Sequence, residues 1–307
     1  MNLEEEVRQG YTIPIEMKRV WKIQMDLLKK LLAVCEKHHL KIWAEGGTLL
    51  GTVRDHGYIP WDDDIDMAML RDDYDRLVAI APEEFKHPYF FQCGLTERVY
   101  PRGHAQLRMD GTAAICPSDA FIHTHQGIFI DIFPYDAVPE NVNEKKTLIK
   151  KRNKQMALLL HLSSNDPLHP VRTLGMMLRR PFFSYYYRQF ENLLRSNPLS
   201  ENQHVACLGF TDDLKHYERD KDWYKETLYL PFEDMMMPVP SGYDQVLSTQ
   251  YGDYMVPRQA PTLHGGFWKL DPETPYESFL PDLRVYCKQL KKARIKSRIK
   301  KFLKRTK

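Results

Sequence analysis

Apolar positions recur at helical spacing over residues 14–38. There Met17, Val20, Trp21, Leu28, Leu31, Leu32 and Cys35 share a face and predict an amphipathic helix. The pattern then shortens. Ile42-Trp43-Ala44 predicts a brief buried strand over 41–44, residues 48–55 a short helix, and Met67-Ala68-Met69-Leu70 the apolar half of a strand over 64–70. Arg71-Asp72-Asp73-Tyr74 opens another helix, with Tyr74, Leu77, Val78 and Ile80 on its buried side. Strands are expected over 88–93 and 104–109, and over 127–133, where Phe129, Asp131 and Phe133 share one face. Helix, two strands, helix and a third acidic strand suit an α+β core over 14–139, a small mixed sheet with helices on one side.

The pattern changes after Pro139. Residues 141–162 and 170–196 predict helices, with a loop at Ser163–His169 between them. Residues 226–239 predict a β-hairpin, and Ser241-Gly242-Tyr243 caps a helix ending near Tyr251. We read 140–280 as a mostly helical region that packs on the core and shapes the substrate site, and 281–307 as a basic amphipathic tail.

Charge sharpens the reading of the tail. The chain carries a formal net charge of +3, yet residues 288–307 alone hold eleven Lys or Arg and no acid. Subtracting them leaves the other 287 residues at −8, so the basic balance does not indicate a nucleic-acid partner for the body. Leu290, Ile295, Ile299, Phe302 and Leu303 thread a ragged apolar stripe through those cations, which suits an anionic membrane surface. The competing reading is a solvated tail, or one that contacts the acidic body.

No apolar run approaches the roughly 20 residues that span a bilayer. The acidic Met1–Glu6 segment lacks the order of a signal peptide. The five cysteines are scattered, without zinc-ligand spacing. A cytoplasmic protein, peripheral at the inner face of the plasma membrane, is the expectation.

The candidate chemistry lies in Trp61-Asp62-Asp63-Asp64-Ile65-Asp66. Clustered carboxylates repel, and an apolar run follows at once, so the segment reads as a strand entering a core. Alternation puts Asp64 and Asp66 on one face, where they suit one or two hard divalent cations, Mg²⁺ or Mn²⁺. Asp131, on the later strand, completes the cation site or takes a proton from an attacking hydroxyl. Upstream, Gly46 and Gly47 permit a tight turn and close backbone approach. Thr48 is a suitable N-cap for a helix whose N-terminus attracts phosphate. Arg54 and Arg108 are candidate phosphate partners, Arg54 alternatively pairing with the acids. Glu45 is a candidate orienter of the turn, while Asp62 and Asp63 read as solvated loop acids.

The stretch Trp43–Asp66, WAEGGTLLGTVRDHGYIPWDDDID, resembles the signature of the LicD and fukutin-related phosphotransferases. The resemblance continues at Gly127–Pro134, Leu230–Glu233 and Tyr251–Met255, covering most of residues 20–265. It implies the nucleotidyltransferase fold of DNA polymerase beta-like enzymes, with Asp131 as the third acidic residue. It also implies transfer of phosphocholine or a similar phospho-alcohol from a CDP-linked donor to a hydroxyl of a cell-surface glycan precursor, releasing CMP. The glycan would be a teichoic acid, capsule or lipooligosaccharide precursor, and a lipid carrier on it would give the tail a use. The residues themselves say only metal-assisted phosphoryl chemistry. Nucleotidyl transfer with pyrophosphate release, and an inactive glycan- or nucleotide-binding module, are the competing readings.

Other features read as structural. His104, His264 and the His123-Thr124-His125 run are expected in ordinary polar roles. Tyr185-Tyr186-Tyr187 and Trp268 invite an aromatic cage for a quaternary ammonium, against the simpler reading as core and surface aromatics.

Overall fold

The computed structural model describes residues 2–163, 178–259 and 267–305, with side chains through Ala293 and at Lys296. A hairpin, β1 (Glu6–Arg8) and β2 (Tyr11–Ile13), leads into helix α1 (Ile15–Lys37). Helix α1 buries Val20, Trp21, Leu28, Leu31 and Cys35, with Met17 and Leu32 half-buried, so the helical spacing located its core face. Strand β3 (Trp43–Ala44), helix α2 (Gly46–Arg54), strand β4 (Asp66–Leu70) and helix α3 (Arg71–Glu84) follow close to their expected bounds. Strands β5 (Tyr89–Gln92), β6 (Ala105–Met109), β7 (Ala113–Ile115) and β8 (Phe129–Val138) come next.

Strand β8 is the spine of the main sheet, and all ten of its residues are buried. It pairs in parallel with β4, which puts Asp66 opposite Asp131. It pairs antiparallel with β6 along Phe129–Ile132 and with β9 (His204–Ala206) along Asp136–Val138. The strand runs on to Val138, past the expected end at residue 133. Asp136 is tolerated because Arg71, at the start of α3, meets it through Nε at 2.6 Å and Nη2 at 3.0 Å. Arg71 Nη1 also reaches Glu191 Oε2 at 2.9 Å. A buried carboxylate bonded twice to a guanidinium keeps the partners its charge requires.

Residues 140–280 contain more strand than expected. Helices α4 (Val142–Ser163) and α5 (Phe183–Leu194) enclose a small core of Leu159, Leu162, Tyr187 and Phe190. The first part of the helix expected over 170–196 lies outside the described residues. Strands β9 and β10 (Arg219–Asp220) extend the sheet that carries the aspartates, so that sheet is continuous across residue 139. The hairpin β11 (Thr227–Phe232) and β12 (Met235–Pro240) packs beside β3, and Trp43 Nε1 donates to Thr227 Oγ1 at 2.9 Å. Helix α6 (Tyr243–Tyr251) follows it, and strand β13 (Lys269–Asp271) pairs with β7. Helix α7 (Leu280–Arg305) seats Leu283 and Cys287 in a cluster with Ile115 and Ala120. The side chains of Ile295, Ile299, Phe302 and Leu303, on which the amphipathic reading rests, lie outside the described residues. Among the described residues no helix is long and apolar enough to cross a membrane.

Candidate active site

The register of β4 on β8 brings the three aspartates together. Asp131 N donates to Ile65 O at 2.9 Å, locking the start of the parallel pair. One carboxylate oxygen from each of Asp64, Asp66 and Asp131 then lies within 4.8 Å of the others. Asp64 and Asp131 are 8 % and 3 % exposed, and Asp66 is half-buried. Asp62 and Asp63 join Asp64 in a second group of the same compactness. At such spacing and an effective dielectric of about 20, two carboxylates repel by roughly 3–4 kcal/mol. Burial, followed by the neighbouring carboxylates, pushes Asp64 and Asp66 well above the usual carboxylate range.

Surrounding elements hold this loop by its backbone. From α1, Trp21 Nε1 donates to Asp62 O at 3.1 Å and Gln24 Nε2 to Asp63 O at 2.8 Å. Trp21 is itself stacked on Tyr58, with ring centroids 4.3 Å apart. From α2, Thr48 Oγ1 accepts the Asp66 N–H at 2.9 Å. This corrects one expectation: Thr48 lies inside α2, whose N-cap is Glu45, and it ties that helix to the aspartate strand.

The glycine pair serves the acids directly. Gly46 has φ +55°, and a Cβ there would stand 3.1 Å from Asp66 Oδ2. A Cβ on Gly47 would stand 2.5 Å from Asp62 Oδ2, closer than real atoms approach. The N-terminal turn of α2 thus faces carboxylates, which its dipole favours.

Strand β6 supplies what the sequence reading missed. Gln106 Nε2 donates to Asp131 Oδ1 at 2.7 Å, and His104 Nε2 lies 3.2 Å from the same oxygen. His104 is 4 % exposed and packs between Phe133 and Phe210, with centroids at 4.7 Å and 6.0 Å. Arg108 is corrected from a phosphate partner to a support. It is fully buried, bonded to Gln92, Gln106 and Gly127 O, over the ring of Phe129. Its bond to the Gln106 carbonyl turns the Gln106 amide N–H toward Asp131. His104, Gln106 and Arg108 alternate along one strand face, a signal that was present in the sequence.

A cavity of about 730 Å³ opens on the aspartates. Arg54, Arg102 and Arg258 line it. Arg54 is bonded to Asp55 at 2.8 Å and 3.0 Å and to Tyr254 O at 3.3 Å, so it pairs with an acid outside the cluster. Arg102 meets Asp119 at 2.8 Å. The aromatic lining comes from Trp61, Tyr135, Phe210, Tyr217 and Tyr251. It does not come from the tyrosine run: Tyr187 lies in the α4–α5 core with its hydroxyl on Arg102 O, and Tyr185 is exposed. Trp268 packs near Tyr286 in the α7 cluster. His125 stacks on Phe90 and meets Asp110 at 2.9 Å, an ordinary polar role, and His264 lies outside the described residues.

Residues 39–182 match the family described as LicD/FKTN/FKRP, nucleotidyltransferase domain. The lipopolysaccharide cholinephosphotransferase LicD of Haemophilus influenzae is 27 % identical over 241 residues, 75 % of this chain and 88 % of that protein. An uncharacterized protein of Rickettsia prowazekii is 40 % identical over 78 residues, 24 % of this chain and 27 % of its own length. The segment that bears Gly46, Gly47 and the three aspartates is thus a domain of the LicD family.

Proposed function

We propose that this protein transfers phosphocholine, or a closely similar phospho-alcohol, from a CDP-linked donor to a hydroxyl of a cell-surface glycan precursor, releasing CMP. The observation that carries the reading is the packing of Asp64, Asp66 and Asp131 within 4.8 Å at the wall of a large cavity, inside a LicD-family domain. The cholinephosphotransferase name of the Haemophilus relative supports the choice of phospho-alcohol. We read the main sheet as the core of a nucleotidyltransferase fold, on the strength of two parallel aspartate strands beside a Gly-Gly helix.

The donor set fits Mg²⁺, or Mn²⁺ in its place. It is all carboxylate oxygen and compact, and burial, followed by repulsion that a divalent cation would relieve, raises Asp64 and Asp66. Asp64, Asp66 and Asp131 would hold it, and it would neutralise charge on the transferring phosphate. The chain's own groups do the rest. Gly46 and Gly47 keep the N-terminal turn of α2 close to the acids. Gln106 and His104 fix the Asp131 carboxyl, which would accept the proton of an attacking hydroxyl where it does not serve as a cation ligand.

The test is direct. The protein is incubated with CDP-choline, CDP-ethanolamine, CDP-glycerol or CDP-ribitol, together with Mg²⁺ and a glycan extract. Mg²⁺-dependent CMP release with labelling of the glycan supports the reading. Pyrophosphate release from a nucleoside triphosphate, with no CMP from any donor, overturns it.

A further inference from the structure

We propose that Glu45, Tyr135, Tyr217 and Tyr251 form the subsite for the donor's alcohol headgroup, and that this subsite selects a quaternary ammonium. The inference rests on the phosphotransfer reading above for the identity of the donor, and on the following geometry for the subsite.

All four residues line the cavity that holds the aspartates. Glu45 immediately precedes the Gly-Gly turn, and its N–H donates to Asp66 O at 3.0 Å, so it adjoins the cation site. It is only 7 % exposed, yet among the described residues Oε2 of its carboxyl has no hydrogen-bond partner. A buried carboxylate oxygen without a donor is costly and calls for an explanation. Tyrosines surround it: burial, followed by the Glu45 charge, pushes Tyr135, Tyr217 and Tyr251 upward, and the Tyr135 hydroxyl bonds to its carboxyl. The Tyr251 hydroxyl also lies 4.0 Å from where a Gly46 Cβ would stand.

Among the described residues, the cation that acts on Glu45 is Arg219, whose hydrogen bonds run to neutral acceptors. Arg219 donates to His216 O and to Gln250 Oε1 at 2.9 Å, and lies 5.7 Å from the Tyr217 ring centroid. Asp62 and Asp66, on the other side, keep the neighbourhood acidic.

A trimethylammonium group matches this set. It brings charge but no N–H, so it satisfies a carboxylate electrostatically without needing an acceptor in return. Aromatic faces with a nearby carboxylate are the surroundings such cations prefer. A neutral polyol brings several hydroxyls and no charge, and would leave the acidic excess unanswered.

Isothermal titration of CDP-choline, CDP-glycerol, CDP and phosphocholine into the full-length protein with Mg²⁺ tests the subsite. CDP-choline should bind roughly tenfold or more tightly than CDP-glycerol or CDP. Glu45→Gln and Tyr251→Leu should each remove that preference and leave CDP affinity in place. Tyr251→Phe, which keeps the ring face, should retain the preference. A melting curve for each variant confirms that it folds. Equal affinity for the three nucleotides in the wild type overturns the subsite, as does a preference that survives both Glu45→Gln and Tyr251→Leu. CMP release on the same samples separates the two claims. Equal release from CDP-glycerol and CDP-choline upholds phosphotransfer and sinks the subsite. Phosphocholine binding that Glu45→Gln abolishes, with no CMP from any donor, sinks phosphotransfer and upholds the subsite.

Discussion

Acids gather at both ends of the β4–β8 pair, in opposite surroundings. Beyond the C-terminal end of β4, Asp136 and Glu191 meet Arg71 at 2.6–3.0 Å. At its N-terminal end, the groups that act most strongly on Asp64 and Asp66, after burial, are other carboxylates. The first cluster has its cation built into the chain and opens on no cavity that the second shares. The second lines a space of about 730 Å³. The same sheet can therefore bury an arginine beside acids where structure alone is at stake. Acids packed on acids, at a cavity wall, are the arrangement that the proposed cation site requires.

The comparison can be broken most severely at the cavity. Asp64→Asn or Asp66→Asn should lower transfer by roughly 10³-fold or more, since a ligand to the charge-neutralising cation is lost. Either change should leave the metal-free fold intact or slightly more stable, because one of several clustered negative charges is gone. Full activity in either variant would remove the cation-site assignment. At the other cluster the effect should reverse in kind. Arg71→Met leaves Asp136 and Glu191 buried against each other and should cost about 3–5 kcal/mol in urea unfolding. Replacing Arg71, Asp136 and Glu191 together by apolar residues of similar volume should recover most of that. A stability loss confined to the triple variant would contradict the structural reading of this cluster.

Asp131→Asn sharpens the roles within the cavity. Turnover should fall roughly a hundredfold or more. Donor affinity that falls in step marks Asp131 as a cation ligand, and retained affinity marks it as the base. An unchanged single-turnover rate would take Asp131 out of the mechanism. The smallest effect on chemistry is expected at the tail. Deleting residues 288–307 should weaken co-sedimentation with anionic vesicles and spare turnover on a short soluble acceptor. Each Lys or Arg near an anionic surface contributes about 1 kcal/mol, screened by salt. Equal, salt-insensitive sedimentation of both forms would exclude the tail as a membrane anchor.

The parts of this site that were legible in the sequence are those set by local pattern. Asp64, Asp66, Gly46 and Gly47 fall within one short stretch, and the two acids stand two residues apart just before an apolar run, although the strand itself begins only at Asp66. Asp131 could be picked out because it is a carboxylate inside an apolar run. What the pattern could not give was pairing. Thr48 looks like a cap until β4 is seen to pass beside α2, where its hydroxyl takes the Asp66 N–H. Arg108 looks like a phosphate ligand because it is charged, yet Gln92, Gln106 and Gly127 occupy it. His104, two turns of the pleat away on the same face, reaches Asp131 instead. The aromatic lining is a tertiary property too. Tyr135, Tyr217 and Tyr251 come from separate elements, while the conspicuous Tyr185-Tyr186-Tyr187 run packs elsewhere. The helical expectation for 140–280 failed at β9 and β10 because strands of three and two residues carry too little periodicity to read.

The central claim, that the aspartate cluster is built for a divalent cation, is tested most directly by thermal unfolding with and without Mg²⁺ across pH. Folding raises the carboxyls of Asp64 and Asp66 above the unfolded value of 3.8, so the folded protein holds more protons between that value and the raised ones. Metal-free stability should accordingly fall as pH climbs through that window. Mg²⁺ needs the ionised cluster, so the rise in melting temperature it brings should be larger near about pH 8 than near about pH 5. Asp66→Asn should abolish most of that rise. No Mg²⁺-dependent shift in the wild-type protein, or the same shift in Asp66→Asn, would contradict the account.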